Sequence, residues 1–397
     1  MPVPRGCDAT FELPSGFCAT VFAADVGPVR HLAVSAAGDV YAALWREGQR
    51  SGGVLALRDT NGDGRADLRA RFGPEGGSGI ALRGSSLFLG AWSTVYRWTL
   101  RAGVLVPDGA PVAVVEGIPE LEHGARSVVA APDGRLYVNI GAPSNVCERA
   151  AVGPDRAGDD PCAELVYSGG VWAFDAAGVG QRPDVVHRFA TGLRHTVALG
   201  VDPATGELYG APHGMDHLRS WWPAAGFTRE EAAAKPPETL FRIERGGDYG
   251  FPYCYFEPAA GGMVLAPAYG GDGERVERCA GHPVPLATFP AHAAPLALLV
   301  CRGGMFPRRY EGGIFVALHG SLFHAPSAPR GYGVQFVPRT DGGFGAAEPF
   351  ADGLARSSLP VFHQRPRPSG LAIGPDGSLY VADDLGGRIW RIIFRAL

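Results

Sequence analysis

The sequence predicts an all-β fold, and specifically a six-bladed β-propeller. Three observations predict it: six copies of one short phrase, strand-like segments flanking most copies, and a high content of turn-forming residues, with 58 Gly and 34 Pro in 397 residues. A strand-and-turn unit repeated along a chain is the signature of a radial array. A propeller is its closed form, because closure leaves few sheet edges exposed.

The repeated phrase is a small turn followed by a short apolar strand that carries an aromatic residue. Its copies, in order, are GDVYAAL from Gly38, SSLFLGA from Ser85, GRLYVNI from Gly134, GELYGAP from Gly206, GGIFVAL from Gly312 and GSLYVAD from Gly377. An apolar segment such as HLAVS or TVALG precedes most copies, and a second strand such as GGVLALR or GRIWRII follows each one. Each copy therefore predicts one blade, which buries its faces on its neighbours.

Residues 1–397 are expected to form a single domain, because repeat folds escape the usual length limit and no linker is visible. The N-terminal segment ATVFAAD (19–25) is predicted to pair beside the C-terminal GRIWRII and so close the ring. One short helix is predicted over 228–236, with Thr228 as its cap. Long loops on a rigid scaffold commonly carry function, so the site is expected near three insertions, at 139–168, 211–238 and 255–292.

Composition excludes two classes of function. Only 19% of residues are charged, the net charge is -4, and no basic run exists, which argues against nucleic-acid binding. No stretch approaches the roughly 20 apolar residues that a membrane-spanning helix needs. Residues 1–17 contain no apolar signal core, so the protein is expected in the cytoplasm, or in the periplasm or medium if a leader has been removed.

The seven cysteines favour the exported alternative. Two candidate disulfides each bracket a loop: Cys147 with Cys162, and Cys254 with Cys279. Cys7 and Cys18 are a third candidate pair, which leaves Cys301 unpaired in an apolar strand. The alternative is that these cysteines are buried free thiols.

The segment DTNGDGRAD, residues 59–67, has the spacing of a calcium loop. Oxygen side chains alternate around a glycine turn at Asp59, Asn61, Asp63 and Asp67, and Ca²⁺ prefers six to eight oxygen ligands in a flexible loop. The segment lacks the distal Glu of an EF-hand loop. A structural calcium site is expected here, and the alternative is a polar hairpin built on Asn-Gly and Asp-Gly turns.

Histidines and one arginine are the candidate functional side chains. His123 follows Glu122 and precedes a predicted strand, and a histidine of near-neutral pKa can act as a general base there. Arg194 precedes the strand TVALGVD, and its five donors suit an anionic or carbonyl-rich ligand, or else a surface ion pair. Seven histidines fall at strand ends or in loops: His123, His195, His213, His217, His292, His319 and His324.

These segments together resemble the PQQ-dependent soluble sugar dehydrogenases, specifically the L-sorbosone-dehydrogenase-like branch. The resemblance covers nearly the whole chain and is carried by LPSGFCATVFA, DTNGDGRAD, PDGRLYVNIGAPSNVC, FATGLRHTVALGVDPATGELYG, GGDYGFPYCY and RPSGLAIGPDGSLYVADDLGGRIWRI. It implies a six-bladed propeller, which the repeats predict independently. It also implies oxidation of an aldose or sorbosone-type sugar by hydride transfer to PQQ, with a soluble electron acceptor.

The resemblance also implies roles for particular residues. His123 would be the base and Arg194 would stabilise the quinone oxygens. The remaining cofactor positions are His195 beside Arg194, the calcium-binding carbonyls of Ala211 and Pro212, and the PQQ-carboxylate arginines Arg365 and Arg367.

The sequence departs from the family pattern at several of these positions. His195 replaces an asparagine, Met215 replaces an arginine, and other changes occur at Leu296, Leu322, Phe323, His324 and Gly333. One alternative is therefore a propeller enzyme without PQQ, in which a pocket holds zinc, copper or iron through His123, His195, His213, His217, His319 and His324. Another is a non-catalytic ligand-binding propeller, because fold does not fix function.

Overall fold

The structure is a computed structural model that describes residues 6–45, 53–148, 154–320, 331–353 and 366–395. Six four-stranded antiparallel sheets form the blades of a β-propeller. The predicted fold class is thereby confirmed.

Strands follow one another through the first three blades in chain order, after the N-terminal strand β1 (Phe17–Ala24). Blade 1 contains β2 (Val29–Val34), β3 (Val40–Leu44), β4 (Val54–Arg58) and β5 (Leu68–Phe72). Blade 2 contains β6 (Gly77–Arg83), β7 (Ser86–Ala91), β8 (Val95–Thr99) and β9 (Val112–Val115). Blade 3 contains β10 (Val128–Ala130), β11 (Arg135–Ile140), β12 (Gly170–Asp175) and β13 (Arg188–Thr191).

The last three blades carry insertions. Blade 4 contains β14 (Ala198–Val201), β15 (Leu208–Ala211) and β16 (Glu238–Ile243), then a separate hairpin of β17 (Cys254–Glu257) and β18 (Gly262–Leu265), and finally β19 (Ala287–Phe289). Blade 5 contains β20 (Pro295–Val300), β21 (Ile314–His319) and β22 (Tyr332–Val337), a small hairpin of β23 (Arg339–Thr340) and β24 (Gly343–Phe344), and β25 (Glu348–Ala351). Blade 6 contains β26 (Pro368–Ile373), β27 (Leu379–Asp383) and β28 (Arg388–Phe394).

The two ends of the chain meet in blade 6. Strand β1 pairs antiparallel with β28, and Phe17 lies opposite Phe394. The sheet edge of the last blade is therefore covered by the N-terminal strand, as a ring of blades requires. The number of domains stays a prediction.

The repeated phrase is apolar on both faces because each blade is packed between two others. In β3, Val40, Ala42 and Leu44 join a core shared with blade 6, whereas Tyr41 and Ala43 join a core shared with blade 2. Successive side chains of a strand point to opposite faces, so one phrase supplies both cores. The first strands of all six blades surround the central axis.

The insertion between β15 and β16 of blade 4 contains two short α-helices. The predicted helix is α2 (Arg229–Ala234), and Thr228 and Glu231 form a capping box at its start. It ends before the Lys235–Pro236 bond, since a residue before proline avoids the helical region. The insertion also contains a helical turn that was not predicted, α1 (Leu218–Trp221).

All three candidate cysteine pairs are disulfides, Cys7–Cys18, Cys147–Cys162 and Cys254–Cys279. Cys301 is a buried free thiol, as expected from its place in an apolar strand. Within the described part of the chain, no helix has the length and apolarity needed to span a membrane.

Candidate active site

The strand ends at one end of the propeller axis surround a cavity of about 930 Å³. Its wall combines two arginines, Arg30 and Arg367, with several histidines and carboxylates. A narrower channel of about 240 Å³ continues along the first strands of the blades. His31 and Leu296 lie where the two spaces approach each other, and Nε2 of His31 contacts the Leu296 carbonyl oxygen at 2.7 Å.

One wall of the cavity is organised by Asp384 and comes from blades 1, 5 and 6. Its Oδ2 accepts from Nη1 of Arg30 at 3.1 Å, and its Oδ1 accepts from Nε2 of His319 at 2.8 Å. Nη2 of Arg367 donates to Nδ1 of His319 at 2.9 Å, and Nε of Arg367 donates to the His319 carbonyl at 3.0 Å. We call these four residues the Asp384 wall.

The Asp384 wall holds a neutral histidine. Burial lowers the pKa of His319 to about 4, and the charges of Arg367 and Arg30 act in the same direction, against Asp384. The hydrogen bonds agree, because a ring whose Nδ1 accepts from an arginine keeps a single proton on Nε2. Burial raises the pKa of Asp384, but His319 and Arg30 outweigh it and hold the pKa below its ordinary value.

A second wall is organised by Asp216 and comes from the loops of blades 3 to 5. Its Oδ2 accepts from Nη2 of Arg194 at 3.1 Å, and its Oδ1 accepts from Nδ1 of His292 at 3.1 Å. Nε2 of His292 donates to the Ala232 carbonyl in α2 at 3.0 Å. Glu238 lies beside them and accepts from the backbone amides of Gly214 and Ala294. We call Asp216, Arg194, His292 and Glu238 the Asp216 wall.

The Asp216 wall holds a protonated histidine. Burial alone would lower the pKa of His292, but the hydrogen bonds with Asp216 and the Ala232 carbonyl and the charge of Glu238 raise it above its ordinary value. Burial also raises the pKa of Asp216, yet His292 and Arg194 hold it well below its usual range. Burial raises the pKa of Glu238, since two amide donors do not replace its lost hydration.

A row of three histidines runs from the loop before blade 3 to the cavity. The ring centres of His123 and His195 are 4.8 Å apart, and those of His195 and His213 are 5.0 Å apart. His213 lines the large cavity, whereas His123 and His195 are not among the residues that line it. Gly141 permits this packing, because a Cβ there would lie 2.6 Å from Nδ1 of His195 and 2.7 Å from Cβ of His123.

Each end of the row is anchored to a backbone carbonyl. Nδ1 of His123 contacts the Ala142 carbonyl at 2.5 Å, and Nε2 of His213 contacts the Pro295 carbonyl at 3.0 Å. A carbonyl only accepts, so His123 keeps its lone pair on Nε2. Burial and the charge of Arg194 lower the pKa of His123 to about 4, and burial lowers that of His213 to about 3. The near-neutral pKa expected for His123 is therefore not what the structure gives, because the ring is largely removed from water.

Of the five described histidines of the predicted transition-metal site, His123, His195 and His213 form the row above, but their nitrogens do not form a group close enough to hold a metal ion, and the other two lie elsewhere. His319 belongs to the Asp384 wall, and His217 stacks on Trp221 at the start of α1. His324 lies outside the described residues. Within the described ranges, the one group of three potential ligand atoms within 4.8 Å of one another is Cys147, Cys162 and Glu164, and its two sulfurs form a disulfide.

The predicted calcium loop connects β4 to β5, and its side chains bind the loop itself. Asp59 accepts from the amides of Gly62 and Gly64, and Asp63 accepts from the amide of Arg65. The remaining oxygens do likewise, with Asn61 bound to the Asp63 amide and Asp67 bound to Thr60. This geometry is that of the polar hairpin, and calcium binding here stays a prediction.

The other predicted cofactor residues lie around these walls. Arg194 lines a separate small cavity of about 60 Å³, together with Pro212 and Met215. Ala211 is the buried last residue of β15, next to Pro212. Arg367 lines the large cavity, as expected for a ligand-binding arginine, whereas Arg365 lies outside the described residues.

Arg30, Asp216 and Asp384 were not identified from the sequence. For Arg30, the repeats do contain a recognisable pattern. An arginine stands at or shortly before the first strand of four blades: Arg30, Arg126, Arg194 and Arg367. Arg126 is fully buried and donates to the carbonyls of Pro119, Trp92 and His123, so it supports the loop that carries His123. Aligning the repeats by position would have identified Arg30.

The donors in the cavity fit a polyanionic, carbonyl-rich group such as PQQ. Arg30 and Arg367 face the same space, and Nε of Arg30 is buried without a partner among the described residues. Nε of Arg194 and Nδ1 of His195 are likewise buried with no partner there. Of these, only Arg30 lines the large cavity, and a buried donor normally has an acceptor, so its Nε indicates a ligand that supplies one.

Comparison with known proteins agrees with this description. A model of the TrAA12-like family matches residues 11–394. An uncharacterised protein of Borreliella burgdorferi is 26% identical over 213 residues, which are 52% of this chain and 49% of that protein. The chain therefore matches about half the length of that curated relative.

Solved structures share the fold over nearly the whole chain. A family AA12 carbohydrate-active enzyme of Trichoderma reesei superposes with a TM-score of 0.78 at 18% identity, covering 99% of this chain and 98% of that one. The PQQ domain of Coprinopsis cinerea pyranose dehydrogenase gives 0.76 at 18% identity, with the same coverage. The aldose sugar dehydrogenase of Streptomyces coelicolor gives 0.56 at 17% identity, covering 96% and 99%. The likeness in fold and the family match agree, and this chain belongs to the TrAA12-like family.

Proposed function

We propose that this protein is a quinoprotein oxidoreductase that oxidises a sugar, of the aldose or sorbosone type, with PQQ and calcium. The observation that carries the proposal is the pair of arginines, Arg30 and Arg367, in the wall of a cavity large enough for a cofactor and a sugar. Family membership supports it. Two structures of the same fold are named as forms with PQQ, and one of Trichoderma reesei is named as a calcium structure.

When bound, PQQ supplies a quinone that accepts a hydride from the sugar carbon. The protein supplies the other half of the reaction. His123 is the proposed base, because its Nδ1 proton is committed to the Ala142 carbonyl and Nε2 keeps the lone pair. His123 does not line the large cavity, so this role requires the sugar hydroxyl to reach Nε2 past His213 and His195. Arg30 and Arg367 would bind carboxylates, and Arg194, with His195 beside it, has the role toward the carbonyl oxygens that the family resemblance implies.

Calcium and location follow from the same proposal. The carbonyls of Ala211 and Pro212 are the proposed calcium ligands, since hard cations prefer oxygen donors. A soluble acceptor would take the electrons away. Three disulfides favour action in an oxidising compartment outside the cytoplasm.

Reconstitution tests the cofactor. The purified protein is incubated with PQQ and Ca²⁺, and dye reduction is followed with a panel of aldoses and sorbosone, beside elemental analysis of the untreated protein. Saturable, PQQ-dependent dye reduction is expected. Absence of PQQ binding together with stoichiometric zinc, copper or iron would overturn the proposal in favour of the metal alternative.

The base is tested by His123→Ala. Turnover is expected to fall by about 10²- to 10⁴-fold, the usual contribution of a general base, with unchanged PQQ binding. His187→Ala is the matched control, because His187 bonds Asp184 on the β12–β13 hairpin, away from the cavity. Near-normal turnover in His123→Ala would remove His123 as the base, and ligand binding without any turnover in the parent protein would favour the non-catalytic alternative.

A further inference from the structure

Asp216 is held by its backbone as well as by its side chain. Nδ2 of Asn145 donates to the Asp216 carbonyl at 2.8 Å, and Oδ1 of Asn145 accepts from the Asp216 amide at 2.9 Å. The two residues are 71 positions apart, on loops of neighbouring blades 3 and 4. One amide side chain therefore grips one residue from both sides.

The loop that carries Asn145 is itself rigidly held. The Glu148 carboxylate accepts from the amides of Asn145 and Val146, and Cys147 is disulfide-bonded to Cys162. Ser144 ties the same loop to Glu164 at 2.6 Å. Asn145 is 5% exposed and does not line either described cavity near the site, so it has no direct route to a substrate.

The backbone conformation directly after Asp216 is an unfavourable one, so the hydrogen bonds to Asn145 are needed to hold the chain in place. His217 has a φ of 66°, in the left-handed region that residues other than glycine rarely adopt. Intrinsic preference therefore does not fix the direction of the chain at Asp216. The two hydrogen bonds from Asn145 do, and they set where the Asp216 carboxylate lies.

The Asp216 carboxylate in turn orients two cations. It bonds the guanidinium of Arg194 and the imidazolium of His292, each at 3.1 Å. Nη1 of Arg194 donates to the Gly214 carbonyl at 2.6 Å, so both terminal nitrogens are committed and Nε remains the buried donor without a described partner. A displacement of Asp216 would move both cations.

We propose that Asn145 is a positioning residue for the sugar oxidation, acting through Asp216 on Arg194 and His292. This inference rests on the proposed function only for its effect on turnover. The geometry of the grip belongs to the cofactor-free protein, and it is testable there.

The test compares Asn145→Ala with Ser144→Ala. Ser144 holds the same loop but does not touch Asp216, so its loss reports loop destabilisation alone. Imidazole NMR titration of the cofactor-free protein is expected to show the pKa of His292 lowered by about one unit in Asn145→Ala, the scale of one charge-assisted hydrogen bond. It should stay unchanged in Ser144→Ala. In the reconstituted enzyme, kcat should fall by about 10²-fold, as for other small misplacements.

A second variant covers the case in which Asn145→Ala does not fold. Asn145→Asp keeps an oxygen that accepts from the Asp216 amide but turns a second carboxylate oxygen toward the Asp216 carbonyl, so a loss of kcat at least as large as in Asn145→Ala is expected. An unchanged His292 titration in the folded Asn145 variants, or equal effects from Ser144→Ala, would overturn the positioning role. The titration needs no PQQ, so its result is independent of whether the protein proves to be a quinoprotein.

Discussion

The two walls of the cavity use the same residue types and reach opposite protonation states. Each has a half-buried aspartate that bridges one arginine and one histidine: Asp384 with Arg30 and His319, and Asp216 with Arg194 and His292. His319 is neutral, with a pKa lowered to about 4, whereas the pKa of His292 is raised.

The difference comes from the group that faces the second ring nitrogen of each histidine, the one not bonded to the aspartate. Arg367 donates to the second nitrogen of His319, so that nitrogen must carry a lone pair. The Ala232 carbonyl faces the second nitrogen of His292, so that nitrogen must carry a proton. An ion pair alone therefore does not set the charge of a histidine, because the partner of its other nitrogen decides between two stable arrangements.

The largest difference between the two walls is expected in the free energy of unfolding when each aspartate is replaced by alanine. Asp384→Ala leaves Arg30 without its carboxylate, and an arginine cannot lose its charge, so a loss of about 3–5 kcal/mol in the free energy of unfolding is expected. Asp216→Ala also removes the carboxylate of an arginine, Arg194, but Arg194 keeps its hydrogen bond to the Gly214 carbonyl, His292 can release its proton and Asp216 is more exposed, at 23% against 11%, so a smaller loss is expected. Urea unfolding at pH 7 measures both, and equal losses would refute the distinction.

Acid should destabilise the protein through the Asp384 wall. A histidine whose folded pKa is about 4 opposes protonation, so the free energy of unfolding falls as pH drops from about 6.5 to about 4. His319→Asn should remove up to about 3 kcal/mol of that loss, because the folded pKa of about 4 lies well below the unfolded value of about 6.5. Unfolding curves across pH 4–7 test this, and an unaltered pH dependence would argue against a neutral His319.

Alkali should act on the Asp216 wall with the opposite sign. The raised pKa of His292 contributes stability that is full below its unfolded value of about 6.5 and is lost as pH rises through the folded value. His292→Asn should therefore flatten the loss of stability on the alkaline side. Parallel curves for the variant and the parent above pH 6.5 would contradict a charged His292.

The smallest effect is expected at Trp45. The guanidinium of Arg30 lies 4.5 Å from the Trp45 ring centre, and Trp45 packs on Trp92 at 4.8 Å. Trp45→Leu should lose about 0.5–1 kcal/mol of cation–π attraction and weaken PQQ binding slightly, with no effect on the titration of His292. Calorimetric PQQ titration and thermal unfolding check it, and a shifted His292 titration would show that the walls are not independent.

Local sequence patterns were enough to predict the blades, the cap of α2 and the candidate cysteine pairs. Alternating apolar residues in each repeat encode both faces of a strand, and Thr228 followed by Glu231 encodes a helix start. The pattern was insufficient for the calcium loop, because the same residues also satisfy one another as a hairpin. Arg30 and Asp384 are 354 positions apart in the chain, and Asn145 and Asp216 are 71 apart, so no local window contains either pair.

By itself, the sequence determined the number of blades, the family resemblance and the residue types around the axis. Periodicity and turn chemistry act between residues close in the chain, and they repeat six times. Only the tertiary structure decided which histidines meet which carboxylates, that the five described candidate metal ligands do not form a metal-binding group, and which histidine is charged. Those outcomes depend on burial and on hydrogen-bond partners from different blades, which exist only after the ring has closed.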